Sequence, residues 1–123
     1  MSYQKLEQHQ QQLHRLSHLS AICGWDQAAM MPEGGNEARA EAMAELGVLI
    51  HGKRTAPELG DWIARAESEP LDATQRANLA EIKRHWQDAS LLPGELVEAL
   101  SLAGSKCEHA WRRQRKENDW AGF

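Results

Sequence analysis

LSAICGWDQAAMMPEGGNEARAEAMAELGVLI, residues 19–50, decides the fold class, because it reads as helix, break, helix. Leu19 and Cys23 are four apart and continue a row through Leu13 and Leu16, with Leu6 near the same side. Recurrence at three and four marks one face of an α-helix, expected over residues 3–29. Pro32, Gly34 and Gly35 then break the chain. Asn36 is placed to cap a second helix reaching about Lys53, with Glu37 in its first turn. Ala42, Met43, Leu46, Leu49 and Ile50 form its expected buried stripe. Gly47 within that helix costs about 1 kcal/mol relative to Ala, which a close helix crossing at that point would explain.

Upstream, the polar run Gln4–Gln12 favours helix but supplies little apolar surface, so the first turns are expected to fray. Downstream, Thr55 and Glu58 have capping-box spacing and open a third helix to about Ser68, with Leu59, Trp62, Ile63 and Ala66 inward and Pro70 ending it. Asp72 and Gln75 make a similar start for a fourth helix to about Ala89, with a narrow stripe of Leu79, Ile82, Trp86 and Ala89. Pro93 suits the first position of a fifth helix ending near Glu117. Its two apolar rows, Leu96-Leu100-Ala103-Cys107-Ala110 and Val97-Gly104-Trp111, make the widest apolar face in the chain, which places this helix centrally. Asn118-Asp119 resembles a further helix cap with one turn behind it, and Trp120 and Phe123 need a partner to cover them, so the natural polypeptide is expected to continue. No segment alternates like a strand. The expectation is a single all-α domain, an antiparallel bundle of about five helices.

A chain of 123 residues can bury a core without staples. Its 41% hydrophobic and 26% charged residues argue against wholesale disorder. Five Trp imply several helix contacts, or contacts to something outside the chain. With 18 acidic against 14 basic residues, the basic surplus of a nucleic-acid binder is missing. The cluster Arg112, Arg113, Arg115 and Lys116 is read as a solvated helix face. Cys23 and Cys107 lie among apolar positions without a CxxC partner, which excludes a zinc ribbon and predicts buried reduced thiols. The first residues lack a signal-peptide layout, and no apolar run approaches the roughly 20 residues of a membrane span. Together these point to the cytoplasm.

Candidate chemistry is sparse. His14 and His18 share a helix face at metal-ligand spacing, but a third ligand and an intervening Glu are missing, so solvent-facing roles are expected. His9 falls on the apolar face of the first helix as a partly buried packing residue. Glu37, Glu41 and Glu45, spaced at four, read as a wet face rather than an acid–base pair. The most distinctive spot is Gly24-Trp25-Asp26-Gln27. Trp25 lies off the main apolar row, near Ile22. It is either an inter-helix anchor, with Asp26 bonding backbone or an Arg, or part of a substrate groove.

The pattern WDQ…MMP…G…ARA across Trp25–Ala40 resembles the opening of the M32 family of metallocarboxypeptidases, the carboxypeptidase Taq family. ANLAEIKRHWQDASLLPGELVEAL at Ala77–Leu100 and HAWRRQRKENDWAGF at His109–Phe123 support it. The resemblance implies an all-helical enzyme that releases amino acids from peptide C-termini with a bound metal, usually zinc. In that family two His of an HExxH helix and a later Glu hold the metal. No HExxH occurs among these residues, so no catalytic or metal-binding residue is carried over. The residues correspond to roughly the first quarter of the family's chain. There the N-terminal helices wall the substrate groove, which makes Trp25, Asp26, Met31 and Pro32 groove-facing or architectural. The resulting expectation is the N-terminal part of a zinc carboxypeptidase, inactive alone, partnered by the remainder of the enzyme or by itself as a homodimer. A free-standing helical interaction module is the alternative. An enzyme complete in these residues would need a third ligand for His14 and His18.

Overall fold

The computed structural model describes residues 1–123. Five helices follow one another: α1 (Ser2–Ala29), α2 (Asn36–Arg54), α3 (Glu58–Ala66), α4 (Ala73–Ser90) and α5 (Gly94–Glu117), with a 3-10 turn, Glu33–Gly35, ahead of α2. The chain is all-α, as its periodicity requires.

The best-formed core joins the first half of α1 to α3, α4 and the link between them. Tyr3, Leu6, Leu59, Ile63, Ala66, Leu71 and Leu79 form it, with Ala56, Trp62, Ile82 and Trp86 packed around them. Leu6 and Leu59 are the largest side chains fully removed from solvent. Gly60 lets α4 come close, since a Cβ there would sit 3.2 Å from the Trp86 ring. The start of α1 is held from a distance. Its free amides at Ser2 and Tyr3 donate to the two carboxylate oxygens of Glu69, at 2.6 and 3.3 Å. A carboxylate at a helix N-terminus satisfies unpaired N–H groups and meets the positive end of the helix dipole. The Gln-rich first turns are thereby anchored rather than frayed. His9 packs as expected, half-buried, edge-on to Trp62 at 6.2 Å and hydrogen-bonded through Nε2 to the Lys53 carbonyl at 2.8 Å.

The rest of the fold is a layer with α2 in the middle. α5 packs along α2, with Gly94 beside His51 near the end of α2. At its other end Arg112 reaches Gln27 and Ala28 at the end of α1. Hence α5 runs antiparallel to α2 and parallel to α1. Ala40, Ala44 and Ile50 are buried on α2, and Ser105 is the one buried residue of α5.

Several local expectations are corrected. α5 is peripheral, and its row Leu96-Leu100-Ala103-Cys107 is exposed, because the face turned to α2 is the adjacent one through Val97, Ser101 and Ser105. Cys107 is exposed and Cys23 half-buried, so neither is a core thiol. Thr55 does not cap α3: its hydroxyl donates back to the His51 carbonyl at 2.9 Å, and Pro57 occupies the cap position without a side-chain bond. Asn36 does not cap α2 either, because the 3-10 turn already carries the chain into helix, and its buried Oδ1 has no hydrogen-bond partner. Pro93 stands one position earlier than expected, at the N-cap of α5. No close crossing occurs at Gly47, where an added Cβ would meet nothing within 4 Å. Ala42 and Leu49 face outward, while Ile50 is buried. Asn118 ends α5 in the left-handed conformation, φ 52°, instead of starting a new helix. The Asp72–Gln75 capping box forms in full, at 2.8 and 3.0 Å.

Candidate functional site

The turn after α1 is built by one carbonyl and one glycine. The Asp26 carbonyl accepts from both Met30 and Met31, at 2.9 and 2.8 Å, which closes the helix. Gly35 then donates to the Pro32 carbonyl at 2.9 Å. A Cβ at Gly35 would lie 3.2 Å from Met31 Cγ, so the turn folds tightly over the methionine.

Two arginines fasten this end of α1 to its neighbours. Arg39 of α2 pairs with the Asp26 carboxylate at 2.7 Å and donates to the Cys23 carbonyl at 3.0 Å. Arg112 of α5 donates to the Gln27 and Ala28 carbonyls at 2.8 and 3.3 Å, and its other nitrogen pairs with Glu108 at 2.6 Å. Carbonyls in a last helical turn have no partner within the helix, and a guanidinium there satisfies them and meets the negative end of the dipole. Gln27, between the two clamps, is buried.

The four residues singled out from sequence lie together at this corner with different exposures. Trp25 is 62% exposed and anchors no second helix within the chain. Asp26 does bond an Arg, as expected. Met31 is half-buried under the turn, and Pro32 is exposed. Ile22, Trp25 and Met30 leave an apolar surface beside the turn. Arg39 and Arg112 were not singled out from sequence for this corner. Asp26 signals a nearby base, so Arg39 was within reach of inference. Arg112 departs from the solvated face expected for its cluster: it is half-buried, and only its neighbours Arg113, Arg115 and Lys116 are exposed.

Nothing at this corner, or elsewhere in the chain, suits a metal ion. No three His, Cys, Asp or Glu side chains converge. His14 and His18 are both exposed, as are Glu37, Glu41 and Glu45. These residues do not fit a zinc centre.

Across residues 5–123 the chain matches the profile of carboxypeptidase Taq (M32) metallopeptidases. It belongs to the M32 family. Thermostable carboxypeptidase 1 of Thermus thermophilus is 35% identical over 126 residues, covering 99% of this chain and 25% of the relative. Metallocarboxypeptidase 1 of Trypanosoma cruzi superimposes with a TM-score of 0.78 at 40% identity, again over 99% of this chain and 25% of the other. The chain thus spans about a quarter of the length of these M32 relatives. The resemblance read from Trp25–Ala40 and the two later stretches is confirmed over nearly the whole chain. No helix is long and apolar enough to cross a membrane.

Proposed function

We propose that this chain is the N-terminal helical part of a cytoplasmic zinc-dependent metallocarboxypeptidase and has no peptidase activity alone. The observation that carries this reading is the M32 match over residues 5–123 in a chain that spans a quarter of its relatives. The lack of any converging ligand set supports placing the metal and the hydrolytic chemistry in the other three quarters. In the intact enzyme these helices supply a wall of the groove that takes the C-terminal end of a peptide. Trp25 and the Met31-Pro32 turn border that groove, and Asp26, held by Arg39, keeps the turn in place. Their exposure beside a doubly clamped helix end supports that role. Alone, the chain covers part of its apolar surface by pairing with a second copy.

The test is a chimera in which residues 1–123 replace the matching quarter of the Thermus relative in one polypeptide. The chimera is expected to release C-terminal amino acids from an N-blocked peptide and to lose that activity with a chelator. The isolated chain is expected to release none with or without added zinc. Release by the isolated chain, or a chimera that is insoluble or inactive, refutes the proposal.

A further inference from the structure

We propose that the outer row of α5, Leu96, Leu100, Ala103, Cys107 and Trp111, is the seam on which the remaining three quarters of an M32 metallopeptidase packs. This rests on the reading of the chain as the N-terminal part of such an enzyme.

The row recurs at spacings of four, three, four and four, so it runs straight along one side of the helix. From Leu96 to Trp111 it is about 22 Å long at 1.5 Å per residue. All five side chains are exposed, Leu100 at 58%. The packed face of α5 is another one, through Val97, Ser101 and Ser105, with Ser105 alone fully buried. The helix therefore buries its lesser face within this chain and leaves its larger apolar face to water. An amphipathic helix inverted in this way requires a second partner. Past Trp111 the apolar surface continues. Trp111, Trp120 and Phe123 line a shallow cleft of about 320 Å³, with Trp120 and Phe123 stacked at 5.5 Å.

The occupant follows from the comparisons. The same five-helix arrangement occurs in a relative four times as long, at a TM-score of 0.78. Of the five helices, only α5 keeps an unbroken apolar row the length of a helix contact. The exposed residues of α1, Leu19, Ile22 and Trp25, make a shorter patch beside the Met31-Pro32 turn, which the groove reading already uses. A row this straight and narrow suits helices laid along it. Pairing of the isolated chain with a second copy uses the same row in place of the missing partner.

Cys107 lies on the row and reports its cover directly, and half-buried Cys23 beneath the Asp26–Arg39 clamp serves as an internal reference. The experiment compares labelling of Cys107 by a maleimide in the dilute isolated chain and in the chimera, located by peptide mass. The chimera is assayed at several concentrations and its mass is measured in solution. Labelling of Cys107 at least about tenfold slower in a monomeric chimera, with Cys23 changed far less, is the expected result. Leu100→Glu is expected to return Cys107 towards its isolated rate in the chimera while leaving the helicity of the isolated chain unchanged. An active chimera in which Cys107 labels as fast as in the isolated chain overturns the seam and leaves the family reading standing. Protection that appears only as the chimera dimerises assigns the row to a second copy and overturns the stated occupant. An insoluble, inactive chimera removes the reading on which the seam rests.

Discussion

Replacing Leu6 by Ala tests where the core lies. Leu6 is wholly buried among Tyr3, Leu59, Ile63 and Ala66, on a helix whose start is fixed by Glu69. Burying a leucine contributes about 1.5–3 kcal/mol, and the cavity left by truncation adds to the loss, for a total of about 3 kcal/mol. At roughly 0.05–0.15 kcal/mol per residue, a chain of this length is stable by about 6–18 kcal/mol. Only 13 of its 123 residues are buried, which places it near the lower end. Leu6→Ala therefore removes about half of the stability. With a urea slope of about 1.5 kcal/mol/M, the midpoint falls by about 2 M. The control is Leu100→Ala on α5, where the side chain is already 58% exposed. Its expected loss is below about 0.5 kcal/mol. Both variants are unfolded in urea at concentrations low enough to keep the chain monomeric, with helicity followed by circular dichroism. Equal midpoint shifts for the two variants, or a larger one for Leu100→Ala, would show that α5 is central after all.

Three further outcomes follow from local geometry. Asp72→Ala removes the capping box that opens α4 and should cost about 1 kcal/mol, read as a drop in the urea midpoint; no change means the box contributes nothing in solution. Gly104→Ala meets open space and should stabilise α5 by up to about 1 kcal/mol, whereas Gly60→Ala must push the Trp86 ring aside and should gain less, so equal gains would contradict the close approach of α3 and α4. Arg84 donates to Glu81 at 2.7 Å and holds its carboxyl below the ordinary carboxylate range, so the pair's contribution is present above the unfolded value and lost as pH falls through the folded one. The Glu81 midpoint, followed by NMR, should rise in Arg84→Gln; an unmoved midpoint refutes the pairing.

The helices were legible because their limits rest on local chemistry. Pro32, Gly34 and Gly35 break the chain whatever packs around them, and the Asp72–Gln75 box needs only four residues. The inward faces of α3 and α4 were also legible, since each has a single narrow stripe. The position of α5 was not. Its apolar row suggests centrality, yet apolar richness shows that a face needs covering without showing that the cover lies in the same chain. Within this chain the one buried residue of α5 is Ser105, a residue that carries little weight in an amphipathic pattern. The candidate site was half legible. Asp26 called for a base close by and found Arg39, 13 positions later by their numbers. Arg112 reaches carbonyls 84 and 85 positions away, and backbone carbonyls leave no mark on a sequence. Thr55 shows the opposite failure, a correct motif whose hydroxyl prefers the preceding helix.

The Glu69 clasp on Ser2 and Tyr3 has a consequence for biosynthesis. During synthesis α1 receives its N-terminal partner only after another 66 or 67 residues have been added. At about 5–20 residues per second, that is a wait of roughly 3–13 s. Leu6 waits nearly as long for Leu59, Ile63 and Ala66. The glutamines of the first turns suit that interval. They keep the nascent segment hydrated and offer chaperones and neighbouring chains few sticky side chains until α3 emerges to dock.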